Sequence, residues 1–281
     1  MSRTSPQTSP EMDAQAALAG FLSRHPRLLV LTGAGVSTES GIPDYRDANG
    51  DWKRPQPVTY QAFTGDEATR QRYWARSLLG WATMAHARPG AAHLALARLE
   101  AAGRVELLLT QNVDGLHGAA GSRRVVDLHG RIDTVVCLAC GTRSARALLQ
   151  QELVARNPAF ARLSAGAAPD GDADLEHADF SRFEVPPCSR CGGMLKPDVV
   201  FFGESVPRER VAQAMAALQR ADALLVVGSS LMVYSGYRFA LAAAEQHKPI
   251  AALNLGRTRA DALLALKAEL PIGPALAALA D

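Results

Sequence analysis

The 281-residue chain is short of several things, and each shortage removes a class of function. It lacks a charge excess: 30 Lys and Arg stand against 28 Asp and Glu, and a formal net charge of +2 gives no reason to expect nucleic acid as an obligatory partner. It lacks any apolar run near the roughly 20 residues that cross a bilayer, so no membrane association is expected. Its first dozen residues, MSRTSPQTSPEM, lack the apolar core of a secretion signal and resemble a transit peptide poorly. Rich in Ser, Thr and Pro, they are expected to be disordered, and the expected compartment is the cytoplasm. Cysteine is scarce, with 4 in the chain, all in two C-x-x-C pairs. In a reducing compartment that pattern points to metal before disulfide. What remains is 48% hydrophobic and 21% charged, ordinary for a globular protein with one large domain or two modest ones. Nothing in it fixes an oligomeric state, and a monomer is the default expectation.

One stretch stands out. Residues 28–46 read LLVLTGAGVSTESGIPDYR. The run Leu28-Leu29-Val30-Leu31 suits a strand buried on both faces. Gly33 and Gly35 let the backbone turn sharply and bring main-chain N–H groups to a phosphate. Ser37, Thr38, Glu39 and Ser40 are expected to start a helix whose N-terminus would face a pyrophosphate. A third glycine is missing, however. The dinucleotide fingerprint G-x-G-x-x-G needs one where the chain has Thr38, so this stretch does not by itself establish nucleotide binding. Gly41-Ile42-Pro43-Asp44-Tyr45-Arg46 then ends the helix early and returns an acid, an aromatic and a base toward the loop.

Downstream, helices are expected over residues 13–25, 67–87 and 91–101, and strands at 105–109, 124–128, 199–202, 223–227 and 250–253. A plain βαβ unit would place its second strand near residues 47–58, where Pro and Gly interrupt the chain, so an insertion is expected there. Alternating strands and helices give the fold class: α/β, a Rossmann-like, mainly parallel sheet with helices on both faces, plus a smaller zinc-binding and helical domain formed by insertions. The expected division assigns 16–46, 89–131 and 195–281 to the Rossmann-like domain. Residues 47–88 form a helical insertion, 132–194 a zinc module, and 1–15 a disordered N-terminus. The Ala/Gly/Asp-rich loop at 165–174 is expected to be mobile. Ligands of such sheets collect at strand C-terminal ends, where Gly33, Asn112, His129, Gly203, Gly228 and Asn254 fall on this reading.

Cys137-x-x-Cys140 and Cys188-x-x-Cys191 supply four thiolates for one tetrahedral Zn²⁺, with Gly141 and Gly192-Gly193 making the tight turns such knuckles need. Four sulfur ligands leave no open position, so the metal is structural. Gln111-Asn112-x-Asp114 at a strand end suits an amide ligand such as nicotinamide, and equally a turn built on Asx side chains. His129 can act as a general base near neutral pH, because an imidazole titrates at about 6.5. His93 and His117 are comparable candidates, and residue chemistry alone does not rank the three.

Taken together, these motifs resemble the sirtuins, NAD-dependent protein-lysine deacylases. GAGVSTESGIPDYR, TQNVDGLH, LHG at 128–130, the two cysteine pairs, KPDVVFFGE at 196–204, GSSL at 228–231 and NLG at 254–256 stand in that family's order. They cover the chain from about residue 28 to about residue 273. RQRYWAR at 70–76, VYSGYRF at 233–239 and NLGRTRAD look closest to the class II branch. Tyr45 stands for the commoner Phe, Ser229 for the commoner Thr, and the stretch between the knuckles is expanded.

The resemblance implies that acyl-lysine and NAD give lysine, nicotinamide and O-acyl-ADP-ribose, with His129 as base. Asn112 and Asp114 complete the catalytic set. Gly33, Ala34, Gly35 and Ser37 are expected at the pyrophosphate, Asp44, Tyr45 and Arg46 over the cofactor, and Gln111, Asn112 and Asp114 at the nicotinamide and ribose. Gly228, Ser229, Ser230, Asn254, Leu255, Gly256 and Ile272 are expected at the adenosine half. A substrate peptide is expected to add as a strand between segments 202–204 and 231–236, contacting Val200, Phe202, Gly203, Glu204, Leu231 and Val233. Tyr73-x-x-Arg76 resembles the pair by which class III sirtuins hold an acidic acyl tail, although Arg76 also suits the solvated side of a helix. NAD and Zn²⁺ are the expected cofactors, and acyl-lysine-bearing proteins the expected partners.

Three other readings compete. A mono-ADP-ribosyltransferase would use the same NAD pocket. A zinc-knuckle module for nucleic acid needs a basic knuckle region, but Asp170, Asp172, Asp174, Glu176 and Asp179 lie between the pairs. A dehydrogenase needs the third glycine and second strand that are missing.

Overall fold

A computed structural model describes residues 10–53, 56–163, 167–168, 172–173 and 179–280. Its frame is a six-stranded parallel sheet of β1 (Leu28–Thr32), β2 (Val105–Thr110), β3 (Val125–Asp127), β9 (Ala223–Val227), β10 (Ile250–Leu253) and β11 (Leu266–Ala268). The spatial order is β11-β10-β9-β1-β2-β3. All five residues of β1 are buried, as a strand apolar on both faces must be to sit mid-sheet. Leu28, Val30, Leu108, Leu225 and Val227 face α1 (Pro10–Arg24), α4 (Ala91–Ala101) and α9 (Ile272–Ala280). Leu29, Leu31, Leu109, Leu224 and Val226 face α7 (Arg208–Arg220) and α8 (Tyr234–Glu245). Each such side chain contributes about 1.5–3 kcal/mol by leaving water. From β1 the chain order runs outward through β2 and β3 on one side and from β9 to β11 on the other, which makes the β1/β9 junction the topological switch point.

A second core is built from the insertions. The antiparallel strands β4 (Gly130–Cys137), β5 (Arg143–Ala145) and β8 (Leu195–Val199) pack with α2 (Tyr60–Gly65), α3 (Glu67–His86) and α6 (Arg146–Arg156). Phe63, Trp74, Leu78, Ile132, Val135, Leu153, Phe183 and Phe201 fill it. The short helix α5 (Leu116–Ala119) follows β2. The Asp66 carboxylate caps α3 by accepting from the Thr69 N–H at 2.8 Å. Arg146 is fully buried, with its guanidinium over the Trp74 and Trp81 rings and donating to the Ser77 carbonyl at 3.2 Å. Most of the 165–174 loop lies outside the described residues. Its described part is a two-residue ladder of β6 (Ala167–Ala168) and β7 (Asp172–Ala173) against α3.

Four expectations are corrected. Residues 10–12, expected disordered, open α1 ahead of the helix expected from Asp13, where Pro10 fits a first helical turn and Glu11 and Asp13 favour it electrostatically. No α-helix starts at Ser37. Residues 34–36 and 38–40 form two 3₁₀ turns, and Gly41 ends the second in a left-handed conformation at φ 82°. The apolar run 199–202 is not a sheet strand beyond Val199. Val199 and Phe201 are apolar because they enter the small core, and Phe202 makes a single bridge to Thr59. Residues 195–199, assigned to the large domain, instead pair with β4. The edge strand β11 went unforeseen, since Leu266-Lys267-Ala268 is too short to carry a pattern. Among the described residues no helix is long and apolar enough to cross a membrane.

Candidate active site

The C-terminal ends of β1, β2 and β9 open on a cleft of about 1020 Å³ between the parallel sheet and the small core. On the sheet side it is lined by Gly33, Ala34, Gly35, Ser37, Gly228, Ser229 and Ser230, with Asn254 and Leu255 beyond β10. The two glycine turns are pressed together. A Cβ on Gly33 would lie 2.7 Å from the Ser229 Cβ, and one on Gly228, at φ 60°, 2.6 Å from the Val36 nitrogen. Side chains are thereby excluded where the two turns meet. Gly256 and Ile272 stand behind this wall and do not line the cleft. Gly256 packs on Ala48, and the Ile272 side chain backs Gly228.

Under the floor lies a polar network. Ser37 donates to Asp114 Oδ2 at 2.7 Å, and Asn112 Nδ2 reaches Ser37 Oγ at 3.0 Å and the Gly33 carbonyl at 3.2 Å. Ser37 is buried, and its hydroxyl orders Asp114 and Asn112. Gln111 donates to Ser229 Oγ at 2.7 Å, tying the end of β2 to the second glycine turn. His93 and His117 belong to this floor. The Gly90 N–H donates to His93 Nδ1 at 3.1 Å, and His117 Nε2 lies 2.9 Å from Thr32 Oγ1. Burial, helped by neighbouring His93, lowers the pKa of His117 to about 3.

Of the three histidines, only His129 lines the cleft. Its Nδ1 is 2.9 Å from the Gln111 carbonyl, which can only accept, so Nδ1 carries the proton and Nε2 keeps its lone pair. Burial lowers its pKa to about 4. The Gln111 carbonyl works against that shift, while Arg210 and Arg238 add to it. The ring is therefore neutral at pH 7 and able to accept a proton.

The opposite wall carries Tyr73, Arg76, Val200, Phe202, Gly203 and Glu204, and Leu231 and Val233 also line the cleft. Tyr73 packs edge-on against Phe63, with ring centroids 5.3 Å apart. Glu204 turns inward: its Oε2 accepts from Lys196 Nζ at 3.1 Å and the Phe201 N–H at 2.9 Å. It braces the segment as well as lining it. Leu231 and Val233 lie outside any helix, but 234–236 form the first turn of α8, so the extended edge is shorter than expected. Asp44, Tyr45 and Arg46 line the cleft from a flap that sequence reasoning left without its keystone, Trp52. Arg46 lies 3.9 Å over the Trp52 ring, which also meets Tyr45 and Phe202 edge-on. Ser235 and Arg238 were also missed, and the Val-Tyr-Ser-Gly-Tyr-Arg-Phe run was the available signal.

Away from the cleft, the Sγ atoms of Cys137, Cys140, Cys188 and Cys191 lie within 4.8 Å of one another. The Cys137–Cys191 and Cys140–Cys188 separations are 3.5 and 3.9 Å. A tetrahedron with Zn–S bonds of about 2.3 Å has edges of about 3.8 Å, so the cluster fits one zinc ion. Its chemistry agrees. Contacts with Thr142 lower the Cys140 thiol to about 6, whereas Cys191, despite the Gly193 N–H, is pushed up to about 12 by Cys140 and Cys137. Four sulfurs this close ionise together only around a cation.

A parallel α/β sheet with a glycine-walled cleft at its switch point, a neutral histidine in that cleft and a four-thiolate insertion define a nucleotide-using enzyme. The Sir2 family model matches residues 33–235, and the chain belongs to that family. It is 62% identical over 266 residues to NAD-dependent protein deacetylase 2 of Bradyrhizobium diazoefficiens, covering 95% of this chain and 97% of that protein. It is 65% identical over 263 residues to the NAD-dependent protein deacetylase of Xanthomonas campestris pv. campestris, covering 94% and 90%. Among solved structures, a Sir2–p53 peptide–NAD⁺ complex superposes with a TM-score of 0.74 at 28% identity, over 92% of this chain and 94% of that one.

Proposed function

We propose that the chain is an NAD-dependent protein-lysine deacetylase with zinc at its four cysteines, acting in the cytoplasm on acyl-lysine-bearing proteins. The observation that carries the reading is His129, a neutral imidazole whose Nε2 is unprotonated, in a cleft whose other wall is paired glycine turns. NAD supplies the electrophilic ribose carbon, with nicotinamide as leaving group. The chain's part is to place reactants and move one proton. Gly33, Gly35 and Gly228 would let backbone approach the pyrophosphate, and Asn112 and Asp114, held by Ser37, would hold the nicotinamide ribose. Tyr45 and Trp52 cover the cleft and exclude water. His129 Nε2 would accept a proton from a hydroxyl of the bound ribose. Zinc holds β4 and the second knuckle together and takes no part in the reaction.

The finer proposal concerns the acyl group. Tyr73 and Arg76 share a face of α3 and both line the cleft, which suits an acidic acyl tail through charge-assisted hydrogen bonds. Pure protein incubated with NAD and a panel of acyl-lysine peptides is expected to release O-acyl-ADP-ribose, followed by mass spectrometry. ADP-ribosylated protein without that product would mark a transferase instead.

A further inference from the structure

Within the run at 233–239, Ser235 has no role in the reading above, yet it touches the base. Ser235, in the first turn of α8, places its hydroxyl 2.7 Å from His129 Nε2. Because Nδ1–H is committed to the Gln111 carbonyl, Nε2 of the neutral ring accepts from Ser235. Among the described residues the Ser235 hydroxyl makes no other hydrogen bond.

We propose that Ser235 is the positioning residue of the general base, donating to Nε2 while His129 is neutral and accepting from Nε2–H once it is protonated. This rests on the reading of His129 as base. The protons balance simply. The Ser235 O–H first turns away from the single Nε2 lone pair, a substrate hydroxyl then gives its proton to Nε2, the new N–H is shared with Ser235 Oγ, and Ser235 keeps the proton it began with. A serine hydroxyl suits the task because it is both donor and acceptor. The bond from an imidazolium is charge-assisted and stronger than the bond to the neutral ring, so Ser235 makes His129 a stronger base. That matters here because Arg210 from α7 and Arg238 from α8 both oppose the protonated ring, as does burial, and only the Gln111 carbonyl helps it from the other side.

The test uses full-length wild type, Ser235→Ala, Ser235→Thr and His129→Ala. Alanine is a strong helix former, so the first substitution keeps α8. Imidazole ¹⁵N shifts of the unliganded protein are followed against pH. In Ser235→Ala the pKa of His129 is expected to fall by about half to one unit, and in Ser235→Thr to stay at the wild-type value. With NAD and an acetyl-lysine peptide, kcat is expected to fall about three- to tenfold in Ser235→Ala, with KM nearly unchanged, and to recover in Ser235→Thr. An unchanged or raised His129 pKa in Ser235→Ala overturns the proposal. A fully active His129→Ala enzyme overturns the base assignment itself, whatever Ser235 does.

Discussion

On the sheet side of the cleft, ligand-facing groups hang from the ends of strands whose register is set by parallel pairing and two apolar faces. On the other side they hang from two insertions with a three-stranded sheet, a buried arginine among tryptophans and a four-sulfur cluster. The first wall is held by strand pairing and two apolar cores, so its site residues are expected to tolerate change without unfolding it. The second has few strand pairs and a four-sulfur cluster that fits a zinc ion, so loss of a single cysteine is expected to weaken the whole wall. The difference shows that binding precision and fold stability are separable where a regular sheet supplies the frame, and coupled where side-chain chemistry does.

The sharpest way to break this contrast is at the cysteines. Replacing Cys137, Cys140, Cys188 or Cys191 with Ala is expected to release zinc and unfold the small core, because structural zinc supplies on the order of 10 kcal/mol or more. Metal analysis and near-UV circular dichroism read this out, and one zinc still bound in all four variants would contradict a four-thiolate site. On the other wall His129→Ala is expected to keep the melting temperature while lowering turnover by about 10²–10⁴. Calorimetry with steady-state kinetics checks both halves; turnover within a few-fold of wild type removes His129 from the chemistry.

Arg76→Met probes selectivity on the insertion side. Wild type is expected to prefer glutaryl- over acetyl-lysine, and the ratio of kcat/KM values to fall at least about tenfold in the variant, since losing one partner of such a pair costs about 2–5 kcal/mol. Equal slowing of both substrates would show that Arg76 does not read the acyl group. The smallest effect lies under the sheet-side floor. The pKa of His117 is about 3 when folded and that of an unfolded histidine about 6.5, so between those values the unfolded chain binds the extra proton. Stability is complete above pH 6.5 and lost as pH falls, by about 1.4 kcal/mol per unit, or about 2 kcal/mol at pH 5. Urea midpoints from pH 7 to 5 measure the slope, which His117→Gln should reduce by this share while that of His129 remains.

Much of this could be read from the residues. Strands at 223–227 and 250–253 and the helix at 91–101 match the structure, because long apolar runs and Pro-Gly breaks are local signals. The chain's α/β class and its cysteine cluster follow from spacing alone. The run at 199–202 misled because apolar residues serve a cleft wall and a core as readily as a strand. Residues 37–40 misled because helix propensity cannot show that Ser37 is drawn inward by Asp114, 77 residues away.

The sequence by itself determined the strand–turn order, the two knuckles and the set of residues able to do the chemistry, since each depends on neighbours within a few positions. Only the tertiary structure decided which of His93, His117 and His129 faces the cleft. It also placed Trp52 under Arg46 and Ser235 on His129, which depends on separations of 6 residues in one case and 106 in the other. Protonation and orientation are set by burial and by hydrogen-bond partners, and those are properties of the folded neighbourhood.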